Sequence, residues 1–243
     1  MRANQTIAIG LGVLLAASAA VGDGKTGTVQ GVVRFTGVVP PARPIPTGDG
    51  GTIDQHDLIV DAKSKGLRWV IAALEDAPAQ PKLGAGDTPA VIDQKDMTFI
   101  PRVTVVQHGR PVRFDNSDSL NHGVTIVSRH QENEMNLFVT AKDPVTKAFV
   151  AEKAPLRIGC AIHPAMTAWL YVTPHPWADV TDKQGAFTIA DVPPGKYTLL
   201  LKHPDTGLQE RQPVEVRAGQ SLEVAIEWKE PEPKRDPPKR EKK

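Results

Sequence analysis

Apolar positions along this chain fall in short runs and loose alternations that are repeatedly interrupted by glycine, proline or a polar cluster. Residues 26–37 alternate and stop at Gly37, the period of a strand with one face turned inward. Residues 58–60 and 67–74 predict further strands, and 96–106 a strand broken at Pro101. Segments 112–114, 122–128, 155–160 and 167–172 supply the remaining strands of a first unit. Between them, 38–46 reads as an extended proline-rich connector that enters a Gly-rich turn at 48–51, and 77–89 and 129–136 read as loops. A second series begins at 178, with strand, turn and strand over 180–189 and strands at 196–202, 211–216 and 222–228. Long helical periodicity is scarce, so the expected class is all-β, with a larger sandwich followed by a smaller one. Residues 229–243 carry charge and proline without apolar period and predict a disordered tail.

The N-terminus adds a compartment. Arg2 precedes an apolar run over 7–20, with small residues at Ala17-Ser18-Ala19, which predicts an export signal over 1–19. The run is short for a bilayer span, so stable membrane insertion is not expected after cleavage; an uncleaved anchor is the alternative. The expected location is periplasmic or secreted. A net charge of +1 over 243 residues gives no reason to expect a nucleic-acid partner. Export permits disulfides, yet the single cysteine has no partner within the chain, and a bound metal is one use for such a thiol.

That cysteine stands in Cys160-Ala161-Ile162-His163-Pro164-Ala165-Met166. Thiolate, imidazole and thioether within seven residues are ligand types that suit a soft redox ion, copper above all. His122, where an extended run resumes after the polar turn 115–121, is the candidate second imidazole. Taken singly, Cys160 reads as a small buried hydrophobe and Met166 as core filler; only their spacing and His122 favour ligation. His56, His108, His130, His175 and His203 have no sulfur neighbour and read as loop, turn or strand-end residues. Trp69, Trp169 and Trp177 read as core or domain-contact residues, and Asn116 and Asp118 as turn formers, with Asn116 also a candidate for orienting the His122 segment. Two imidazoles and a thiolate with a weak axial thioether suit both Cu+ and Cu2+, which lowers the rearrangement that accompanies electron transfer.

The 160–166 loop resembles the Cys-x-x-His-x-x-Met ligand loop of the cupredoxins, with the short spacing of amicyanin. Residues 99–101, 105–118 and His122-Gly123-Val124 are similar to the run that carries the first copper histidine in that family. The resemblance implies a Greek-key sandwich over 24–175, with its core at 96–174, holding one type 1 copper through His122, Cys160 and His163, with Met166 axial. Two positions depart from the family pattern: Gly123 stands where asparagine is usual, and Ala165 where an aromatic is common. Residues 178–228 resemble the carboxypeptidase regulatory-like, transthyretin-like β-sandwich modules. Together the two parts are similar to cupredoxin-like proteins of the methylamine-utilisation type.

The resemblance implies an exported electron carrier, not an enzyme, that meets redox proteins transiently through an apolar rim at Pro164 and Ala165 beside His163. Two alternatives stay open: a copper carrier or store that does not cycle the ion, and a structural envelope-binding module. A thiol hydrolase lacks a group to orient the base, and zinc rarely recruits methionine. A copper oxidase or nitrite-reducing enzyme needs a second copper centre, for which the histidines are too scattered.

Overall fold

The computed structural model describes residues 25–229 apart from 48, 49, 81, 83 and 85; the expected signal over 1–19 and all but Lys229 of the expected tail lie outside the described residues. The chain is all-β and builds two sandwiches. In the first, a five-stranded sheet has the order Met135–Val139, His122–Ile126, Leu156–Gly159, Thr167–Thr173, Val103–Gln107. A four-stranded sheet has the order Val145–Ala148, Pro111–Asn116, Ala90–Lys95, Thr98–Ile100. Inward residues of both, among them Ile92, Phe114, Val124, Ile158 and Leu170, share one core. Each such side chain contributes on the order of 1.5–3 kcal/mol by leaving water.

The second sandwich pairs a three-stranded sheet, in the order Ala186–Val192, Gly27–Phe35, Ser221–Trp228, with a four-stranded sheet, in the order Ala178–Val180, Ile71–Leu74, Gly195–Lys202, Gln209–Val216. The strand Gly27–Phe35 alternates as the sequence predicts, with Val29, Val33 and Phe35 inward, but its partners are the C-terminal strands. Ile71–Leu74 likewise pairs with Ala178–Val180 and Gly195–Lys202. The strand pairing therefore differs from the expected division into 24–175 and 178–228: the first sandwich is formed by strands from Ala90 to Thr173, between two halves of the second. The reason is coverage, because the C-terminal strands alone leave Phe187, Leu199, Leu201 and Ile226 without the Val29, Val33 and Leu74 that pack with them.

Strands also form where none was predicted. Arg43–Pro46 pairs with Thr52–Gln55 in a two-stranded ribbon, where proline is tolerated because each strand has a free edge. Met135–Val139, in the segment where 129–136 was expected as a loop, pairs with His122–Ile126 at the edge of the five-stranded sheet. Ala90–Lys95 runs parallel to Pro111–Asn116.

The sandwiches meet through Ile71, Ala73 and Leu200 on one side and Val103 and Tyr171 on the other, with Trp69 and Trp169 packed against them. Asp205 closes this junction, accepting two bonds from the Arg102 guanidinium, at 2.8 and 2.9 Å, and one from the Trp169 indole at 2.8 Å. Trp177 lies in the core of the second sandwich, its indole donating to the Asp191 carbonyl at 2.9 Å. All three tryptophans thus occupy core or contact positions.

Candidate metal centre

The site lies where the strand Leu156–Gly159 turns into Thr167–Thr173, beside the first residue of His122–Ile126. Pairing of Gly159 with Thr125 and of Ile158 with Ile126 brings the two segments side by side. The intervening turn is closed by its own backbone: the Met166 amide donates to the His163 carbonyl at 3.0 Å, and the Cys160 amide to the Met166 carbonyl at 3.4 Å.

One ligand atom from each of His122, Cys160 and His163 lies within 4.8 Å of the others, the only group of this kind among the described residues. The two Nδ1 atoms are 3.0 Å apart, and the Cys160 sulfur is 3.7 Å from His163 Nδ1. The imidazoles meet edge to face, with centroids 4.9 Å apart and planes at 67°. His122 is wholly buried, Cys160 7% exposed and His163 9%. Met166, 1% exposed, packs in the same core as Cys160. Ala165 is buried rather than part of an exposed rim, so the exposed positions beside His163 are Ile162 and Pro164.

The surroundings prepare these atoms for an ion. His122 Nε2 lies 2.8 Å from an Asp118 carboxylate oxygen. An ionised carboxylate only accepts, so His122 donates through Nε2, and in the neutral ring its Nδ1 lone pair faces His163. The 3.0 Å contact is then a hydrogen bond donated by His163 Nδ1. The amide of Gly123 donates to the Cys160 sulfur at 3.3 Å, which favours the thiolate. A side chain at Gly123 is not needed for this bond.

Asn116 holds the approach to His122. Its Nδ2 donates to the carbonyls of Leu120 at 2.8 Å and Val139 at 2.9 Å, and its Oδ1 accepts the Asp118 amide at 3.0 Å. The residue thus ties the turn to itself and to the neighbouring strand, which gives substance to its expected orienting role. Asp118 does more than form a turn. Burial works to raise its carboxyl, but the amides of Met97 and Asp96 and the His122 ring together hold it below the usual carboxylate range. Nothing in the composition announced this; its one signal was an acid four residues before a candidate ligand.

The remaining histidines stay apart from the group. His108 Nε2 bonds the Gln80 carbonyl at 3.0 Å, and His56 and His130 are exposed. His175 lies in a loop and His203 just past a strand end, as expected; both are buried, and neither joins a group that could hold a metal among the described residues.

Two imidazole nitrogens and a thiol gathered in a buried cluster fit a soft or borderline transition metal better than a hard ion, which asks for oxygen donors. No family model and no curated protein matches the chain. Solved structures overlap it in part. A copper-containing nitrite reductase from Thermus scotoductus SA-01 is 17% identical over 38% of this chain and 25% of that one, with a TM-score of 0.32. An oxidised point mutant of amicyanin is 18% identical over 42% of this chain and 97% of that one, at 0.31. A purple cupredoxin from Nitrosopumilus maritimus is 18% identical over 35% and 99%, at 0.30. The chain spans a quarter of the nitrite reductase's length. A likeness of this size says nothing about what the chain binds. No helix among the described residues is long and apolar enough to cross a membrane.

Proposed function

We propose that this chain is an exported type 1 copper protein that carries single electrons between redox partners, with His122, Cys160 and His163 as the strong ligands and Met166 as the weak axial one. The observation that carries the reading is the convergence of two imidazole nitrogens and one sulfur within 4.8 Å. Copper supplies a one-electron couple between Cu+ and Cu2+. The chain's part is to keep the donors in place whichever state is bound.

Several features serve that role. His122 is held by Asp118 on its far nitrogen, Cys160 by the Gly123 amide, and the ligand turn by its two internal backbone bonds. Ion binding displaces the proton shared by the two Nδ1 atoms and requires the thiolate, so uptake releases protons and weakens in acid. His163 lies nearest the surface, with Ile162 and Pro164 exposed beside it, and offers a short route to a partner that docks transiently. The expected export signal places this exchange in the periplasm or outside the cell. The Gly123 amide bond to the Cys160 sulfur supports a ligand set that keeps the ion over one that hands it on.

Anaerobic titration with Cu(II), followed by visible and electron-spin-resonance spectra, tests the reading. One equivalent should give an intense sulfur-to-copper band that is missing in Cys160→Ser. A colourless wild-type complex without a reversible couple would refute it.

A further inference from the structure

The carboxylate of Asp118 accepts three donors. Oδ1 takes the Asp96 amide at 2.7 Å; Oδ2 takes the Met97 amide at 3.1 Å and the His122 ring at 2.8 Å. Asp96 and Met97 are the two central residues of the hairpin turn that joins Ala90–Lys95 to Thr98–Ile100, closed by the pairing of Lys95 with Thr98. Both have positive φ, at 52° and 58°. Such turns usually carry Asn-Gly or Asp-Gly, because a side chain at the second position strains the backbone. A methionine there strains the backbone. Successive amides of a left-handed turn form a concave donor pair suited to an anion, and the anion here is a side chain 21 residues away from Met97.

A second set of bonds fixes the same neighbours. The Ser117 amide bonds the Gln94 carbonyl at 2.9 Å and the Asp93 carboxylate at 3.1 Å, and Asn116 Oδ1 accepts the Asp118 amide at 3.0 Å. Asp118 is therefore gripped at its backbone from one side and at its carboxylate from the other. The remaining capacity of Oδ2 is directed at His122 Nε2.

We infer that Asp118 is a positioning residue for His122, anchored by the Asp96–Met97 turn, and that it selects the ring tautomer whose Nδ1 is free to bind a metal. The opposite tautomer would set a lone pair against a carboxylate. In that state Nδ1 would carry a hydrogen where the ion must bind. A carboxylate on the outer nitrogen also makes the imidazole a stronger donor, which favours the more highly charged ion. The affinity part of this inference rests on the copper reading; the tautomer part does not.

Asp118→Asn keeps the shape but offers one acceptor oxygen and one NH2 to three donors, so at least one of Asp96, Met97 and His122 loses its bond. Asp118→Ala removes all three. Met97→Gly keeps the amide and relieves the backbone. Nitrogen-15 NMR of the metal-free full chain reads the tautomer directly. The expected result is an Nε2–H ring at His122 in wild type and Met97→Gly, and a mixed or inverted ring in Asp118→Ala. In copper titration, Asp118→Asn and Asp118→Ala should weaken Cu(II) by about 10–100-fold and Cu(I) by less. An Nδ1–H ring in the wild-type protein, or an unchanged ring in Asp118→Ala, would overturn the inference. So would equal losses for the two copper states. A wild type that binds no copper defeats the copper reading alone, and the ring measurement still decides the role of Asp118.

Discussion

Each sandwich buries a histidine completely, and the two could hardly differ more in what surrounds them. His122 has a partner on both nitrogens, Asp118 on one side and His163 on the other. His203, at the end of Gly195–Lys202, makes no well-formed hydrogen bond at either nitrogen among the described residues, and of hydrogen-bonding groups only the Arg68 backbone acts on it. Burial pushes its imidazole down to about 4, against the pull of Asp205. One ring belongs to a set of converging donors; the other is kept neutral by its surroundings and meets no second ligand. Burial of a titratable group is therefore weak evidence of a site. Convergence of satisfied donors on one point is the stronger sign.

The largest expected contrast is in metal binding. His122→Ala should cost more than about 100-fold in copper affinity, beyond the 10–100-fold typical of losing an outer partner, while His203→Leu leaves it unchanged in a competition titration. The next is in acid stability. The folded His203 ring refuses a proton that the unfolded chain accepts at 6.5, so its contribution is whole above 6.5 and is lost as pH falls through about 4. Across that window the loss is about 1.4 kcal/mol per pH unit. Urea melts at stepped pH should show this slope in wild type and its removal in His203→Leu. Asn116→Ala should lower stability by about 1–2 kcal/mol, since it removes the donor to the buried Val139 carbonyl and to the part-buried Leu120 carbonyl. Smallest of all is Gly123→Ala. Its Cβ would meet the Ala161 amide nitrogen at 3.5 Å and the Leu137 carbonyl at 3.8 Å, ordinary contacts, so stability should change by less than about 0.5 kcal/mol with the copper band retained.

Much of the candidate centre was legible because its sulfur and one imidazole share a seven-residue loop, where ligand types are fixed by chemistry and spacing. His122 was reachable as an imidazole at the start of a strand. Asp118 was not, because its partners are backbone amides in a turn whose residues, Asp96 and Met97, contain no glycine to mark positive φ. The all-β class followed from short apolar runs broken by glycine and proline and from the scarcity of helical periodicity. Partnership of strands did not: Gly27–Phe35 shows which of its faces is apolar, but alternation cannot say that the covering strand is Ser221–Trp228 at the other end of the chain. The same limit hid Met135–Val139, whose Asn136, Leu137 and Phe138 are all exposed, so that no inward-outward period marks it as an edge strand.

Copper K-edge X-ray absorption on the protein loaded with one equivalent of Cu(II) examines the convergence of His122, Cys160 and His163 most directly. The expected spectrum requires one short sulfur and two imidazole nitrogens around a single copper. A first shell of nitrogen and oxygen alone, with no sulfur, would contradict it.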